Sequence, residues 1–180
     1  MRDRLVRTER VLRGVGAVAV VAVLATGCSP PELPLVAVGR GPGGDLRAVL
    51  RPCSDASHME EVSIWHVANK SGRVDPGVLD GWSARPPQSV TGEQEISLYR
   101  PPRDWHGKAR SAKVLSPVGF YAVEFVIGKR SVSDGDVLVK YSGINYFKVA
   151  DIGRLAPGQW WVDGKVMNRT QFRDHADDAC

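Results

Sequence analysis

Four histidines, three cysteines and one group of cations around a tryptophan hold most of the reactive and ligand-binding potential of this chain. His66 ends the alternating run Val62-x-Ile64-x-His66, which suits a core histidine better than a ligand. His58 stands in a turn-like stretch beside Glu60 and Glu61, where a solvated turn is the simpler reading. His175, with Asp174, Asp177 and Asp178, is the nearest approach to a metal cluster, but one histidine among neighbouring carboxylates is not a specific ligand set. Asp134-Gly135-Asp136 opens like a calcium loop and lacks the late glutamate such loops need; it reads better as a hairpin turn. No Gly-x-Ser-x-Gly or Ser-x-x-Lys pattern supports a serine hydrolase. Glu124 lies between Val123 and Phe125, on the face opposite Tyr121, where solvent is expected. Withdrawn from water, it would become a candidate acid or base. No catalytic, metal or cofactor residue is assigned.

Arg100, Arg103, Trp105, Lys108 and Arg110 form the candidate partner-binding set. With Lys113 they place five cations against Asp104 alone, in a segment (residues 100–113) without a strand pattern. Arginine and tryptophan are common interface hot spots, and basic residues near an anionic membrane gain about 1 kcal/mol each. The segment could therefore contact lipid headgroups, a wall polymer or an acidic protein face. Alternatively, Trp105 packs back as a plug and the charges are merely solvated.

The N-terminus sets the compartment. Arg2, Arg4, Arg7, Arg10 and Arg13 outnumber Asp3 and Glu9, and residues 15–25 then run without charge. That is the length of a signal-peptide apolar region, and well short of the roughly 20 residues of a spanning helix. The run ends in Leu24-Ala25-Thr26-Gly27-Cys28, which resembles the lipobox of bacterial lipoprotein signal peptides. Ala25 stands where that family prefers leucine, and Gly27 is the expected small residue before the cysteine. The resemblance implies that residues 1–27 are removed and that Cys28 is lipidated, with acyl chains holding the protein to the membrane. It places the protein on the extracytoplasmic face of the cell membrane. An ordinary secretory peptide, with Cys28 a plain thiol, is the alternative. The Arg-, Ala-, Gly- and Val-rich composition is similar to that of small lipoproteins of high-GC Gram-positive bacteria. In such a protein the sequon Asn168-Arg169-Thr170 is a chance match.

Removing the five arginines and two acids of residues 1–27 leaves 19 basic and 18 acidic side chains, so the whole-chain excess of +4 falls to +1. Basicity is then no argument for nucleic-acid binding, and no phosphate loop or RNA-binding motif is present. Cys53 and Cys180 remain, and two thiols in an exported protein are expected to pair. Such a bridge closes a loop worth about 4–5 kcal/mol of chain entropy. Zinc is disfavoured, since no cysteine has a second ligand at the right spacing.

The elements that must position these residues are strands. Leu46-x-Ala48-x-Leu50 and Tyr121-x-Val123-x-Phe125-x-Ile127 alternate with period two. Ile96 with Leu98 and Val137 with Val139 and Tyr141 make further short runs, and residues 144–149 make another after a break at Ser142-Gly143. Asp163-Gly164 between Trp160-Trp161-Val162 and Lys165-Val166-Met167 predicts a tight hairpin, and residues 41–44 and 133–135 two more. One short helix is expected over residues 170–179, with Thr170 as its cap and with Asp174, Asp177 and Asp178 opposing the dipole. The prediction is an all-β antiparallel sandwich, with an immunoglobulin-like one as the first choice, spanning residues 35–180 behind a tether at residues 28–34. Two long loops, residues 69–92 and 100–113, interrupt the strands. Functionally this describes a non-catalytic binding or accessory module of the cell envelope. A small envelope hydrolase with a site under the two loops is the alternative, and a passive spacer a third.

Overall fold

The computed structural model describes residues 29–67, 81–110, 115–130 and 137–180. In chain order the strands are β1 (Glu32–Leu33), β2 (Val36–Arg40), β3 (Leu46–Leu50), β4 (Met59–His66), β5 (Gly81–Arg85), β6 (Gln94–Ser97), β7 (His106–Arg110), β8 (Phe120–Arg130), β9 (Val137–Lys148), β10 (Gln159–Val162) and β11 (Lys165–Asn168). Two helices, α1 (Val149–Ile152) and α2 (Arg169–Ala179), complete the described residues. The strands form a six-stranded sheet, β1-β9-β8-β4-β5-β7, and a five-stranded sheet, β11-β10-β2-β3-β6. All pairings are antiparallel except β1 with β9. The architecture is a β-sandwich.

The alternation read from the sequence decides which way each strand faces. Tyr121, Val123, Phe125 and Ile127 of β8 are all buried, as are Val62 and Ile64 beside them on β4. They meet Leu35, Val36, Val38, Ala48 and Leu50 from the other sheet in one apolar core. Burial on this scale is the main source of stability in a domain of this size. Hydrogen bonds also cross between the layers. Trp82 Nε1 donates to Leu98 O (3.1 Å), Asn145 Nδ2 to Trp161 O (2.7 Å), and Cys53 N to the Tyr141 hydroxyl (3.0 Å). Each satisfies polar groups that the sandwich would otherwise bury unpaired.

The turns follow their residues. Asp163 and Gly164 both adopt positive φ (44° and 79°), the type I′ geometry that joins β10 to β11 without splaying them. Residues 41–44 link β2 to β3, closed by Gly44 N–H donating to Gly41 O (2.9 Å). Residues 133–135 and Asp134-Gly135-Asp136 lie outside the described residues.

Four expectations change. The segments read as long loops each contain a strand: β5 and β7 pair with one another from Arg85↔His106 to Gly81↔Arg110. Gly-Trp-Ser-Ala-Arg and His-Gly-Lys-Ala-Arg carry too few apolar residues to show a period, and cross-strand pairing supplies what their side chains do not. Second, β9 is continuous where a break at Ser142-Gly143 was expected. Gly143 is there for close approach: a Cβ would come 2.2 Å from the Phe125 ring and 2.9 Å from Leu35 Cβ. Third, the extended tether is held from Pro31 onward. Glu32–Leu33 pairs with β9, and Ser142 N donates to Pro31 O (3.1 Å). Fourth, the cap of α2 is Asn168. Its side chain accepts from Gln171 N (2.9 Å), while Gln171 Oε1 accepts from Asn168 N (2.9 Å), a reciprocal capping box.

Helix α2 lies against the five-stranded sheet, on the face that carries Trp160, Arg47 and Glu95. Phe172 and Ala176 are fully buried, and the Arg169 guanidinium sits 5.3 Å from the Trp160 ring centre. Cys180, directly after the helix, is bonded to Cys53 with Cα atoms 5.4 Å apart, so the expected disulfide is present. The unfavourable acids at the C-terminal end of α2 are partly answered by Arg51, which makes a bidentate contact with Asp177 (2.8 and 3.1 Å).

Candidate functional site

Arg100 and Arg103 are exposed and make no ion pair with a described residue. Lys108 and Arg110 belong to β7, an outer strand of the six-stranded sheet; Lys113 lies outside the described residues. Trp105 corrects the expected set. It is only 7 % exposed and belongs to the core, and its backbone N–H donates to Pro102 O (3.1 Å). A buried indole cannot contact a partner, so of the two readings of Trp105 the structure has the plug. Among the described side chains of this segment, Arg100, Arg103, Asp104 and His106 are exposed.

The histidines are dispersed. His58 Nδ1 lies 3.1 Å from Val90 O and its Nε2 3.1 Å from Gln88 Nε2, contacts that tie two turns together. His66 packs edge-on against Tyr121, with ring centres 5.2 Å apart. His106 begins β7, opposite Arg85. His175 is half-buried on α2, and its neighbour Asp177 is engaged by Arg51. Among the described residues no three His, Cys, Asp or Glu side chains stand close enough to hold a metal ion. Cys28 lies outside the described residues.

Glu124 sits on the outward face of β8, in register with Ser63 of β4 and Ile144 of β9. It is half-buried, more than the solvent-side position expected. Burial raises its carboxyl pKa, the nearby Glu32 and Glu61 carboxylates raise it further, and a hydrogen bond with Ser142 opposes them.

A concavity lies at the β1 end of the six-stranded sheet. A cavity of about 560 Å³ is lined by both β1 and the end of β9, by α1 and by the β10–β11 turn. The size is that of a small-molecule site. Phe120 and Tyr146 form one wall, their rings within 6° of parallel and 6.3 Å between centres. Register explains the pair: Tyr146 stands opposite Ala122, so it shares the outward face with Phe120 two residues away. Trp161 joins them, its Nε1 donating to Tyr146 O (3.2 Å). Glu32, Asp151 and Asp163 bring carboxylates, against Lys148. The Tyr146 phenol is shifted to higher pKa by burial and by the Glu32 and Glu124 carboxylates. None of His106, His175 or Glu124 lines this cavity.

Sequence reasoning missed this site. The one available signal was a pair of aromatics, Phe120 and Tyr146, on strand positions that the alternation assigns to solvent.

Fold and surface together define a disulfide-closed β-sandwich with a docked helix, a cationic outer strand and an aromatic, acidic cavity at the opposite edge. No family model matches the chain, and no curated protein or solved structure matches it.

Proposed function

We propose that this protein is a lipid-anchored module on the extracytoplasmic face of the cell membrane, which binds an anionic envelope partner and performs no catalysis. Lipidation at Cys28 rests on the lipobox resemblance, and the Cys53–Cys180 bridge suits an oxidising compartment. The observation that carries the binding reading is the placement of two strands. β1, four residues beyond Cys28, is one outer strand of the six-stranded sheet, and the cationic β7 is the other.

Five interstrand spacings separate β1 from β7, about 24 Å at the usual strand separation. That distance is more than twice the Debye length of about 8–10 Å. With only residues 28–30 ahead of the held segment, the β1 edge stays near the bilayer, and β7, with Arg100 and Arg103 in the segment that leads into it, is at the other edge. Their natural counterpart is a polyanion of the envelope or an acidic protein face, in preference to headgroups.

Two measurements test the two halves. Intact mass of the membrane-extracted protein is expected to give a chain starting at Cys28 with added acyl mass, gaining two hydrogens on reduction. An unacylated start elsewhere removes the anchor. In pull-downs, Arg100→Gln/Arg103→Gln is expected to lower binding to an anionic wall fraction about tenfold at low salt, with little change on anionic liposomes. Unchanged wall binding rejects the cationic edge as the contact.

A further inference from the structure

We propose that the cavity between β1, β9 and the β10–β11 turn is a binding site for a small organic cation, an ammonium group on a short carbon frame. The site is independent of the cationic edge, which lies at the other end of the same sheet.

Two observations select this ligand class. First, the lining is net acidic: Glu32, Asp151 and Asp163 face one base, Lys148. Arg154, 81 % exposed, pairs with Asp151 only at 3.9 Å, a surface contact that offsets its charge weakly. An anionic ligand is repelled here. Second, Phe120, Tyr146 and Trp161 place aromatic rings in the same cavity. Ring faces attract ammonium groups, and do so more strongly when water is displaced.

An uncharged ligand of the same shape would strip water from the carboxylates and return nothing. A cation gains on both walls. The two walls therefore discriminate by charge as well as by size, and about 560 Å³ leaves room for the frame that carries the ammonium. Ammonium groups on free amines and on lipid headgroups share this chemistry.

The test is calorimetric titration of the full-length protein in detergent with choline, glycerophosphocholine and the uncharged choline isostere 3,3-dimethylbutan-1-ol. Saturable binding of a cationic probe is expected, with the isostere binding at least about tenfold more weakly. Tighter binding of glycerophosphocholine assigns the headgroup as source, and tighter binding of choline a free amine. The variant Glu32→Gln/Asp163→Asn removes two charges with little change of shape, since asparagine tolerates the positive φ at position 163. It is expected to weaken choline at least about tenfold with an unchanged melting temperature. Equal binding of the isostere, equal binding by the folded variant, or no heat with either cationic probe at millimolar concentration overturns the proposal.

Discussion

Replacing Cys53 and Cys180 by serine is expected to lower the melting temperature by about 12 °C, the equivalent of about 4 kcal/mol for a chain of this length. The bridge spans 127 residues and ties the segment after β3 to the last residue of the chain. Its loss acts first on the unfolded ensemble, which regains the freedom of a long open loop. It acts also on α2. An isolated helix of eleven residues is marginal in water, and this one ends in acids that oppose its own dipole. Without the bridge, its C-terminal end is held by Arg51 on Asp177 and by the burial of Phe172 and Ala176. Calorimetry with and without reductant checks the magnitude, and amide exchange should locate the earliest opening in residues 169–179. A serine variant melting within a degree of the oxidised protein would contradict this account.

Glu93→Gln is expected to cost about 3 kcal/mol at neutral pH. The Glu93 side chain is 14 % exposed and accepts from three arginines. Arg169 approaches at 2.7 Å, Arg173 at 3.0 and 3.1 Å, and Arg51 at 3.3 Å. Burial alone would raise its pKa; the hydrogen bonds and charges of Arg173 and Arg169 outweigh burial and bring it from 4.5 down to about 2. A carboxylate depressed in the folded state stabilises fully above its unfolded pKa, and that contribution is lost as pH falls through the folded one. The window is therefore pH 4.5 to about 2. Urea unfolding of the wild type should weaken through that window by about 3 kcal/mol more than Glu93→Gln does. Parallel pH profiles for the two proteins would show that the arginine cluster does not depend on this carboxylate. Because Glu93 lies just before β6 and its partners on α2 and after β3, the glutamine variant should also loosen α2.

Local pattern was sufficient wherever one residue type or one short period decides the outcome. The row Tyr121, Val123, Phe125, Ile127 faces the core because side chains two apart share a face of a strand. Asp163-Gly164 makes the tight turn because aspartate and glycine tolerate positive φ. Cys53 and Cys180 pair as counted, and the sandwich class follows from many short strands with regular turns. The expected address at the membrane also rests on sequence, in residues 1–28 alone.

Everything that depends on which segments meet was decided by the tertiary structure. β5 and β7 have too few apolar residues to announce themselves, and become strands because each completes the other's hydrogen bonds. Gly143 separates two apolar runs in the sequence and proves to be the point where Phe125 and Leu35 need space. Trp105 looks like an exposed anchor among cations, yet burying its large apolar surface outweighs leaving it in water. The start of α2 was misplaced because Asn168 and Thr170 both make acceptable caps by type. Only the reciprocal bond with Gln171 chooses between them. The cavity draws on residues 32–34, 120, 144–148, 151, 161, 163 and 164, which no local window contains together. A period of two assigns each side chain a face. Which face is covered, and by what, is set by the packing of one sheet on the other.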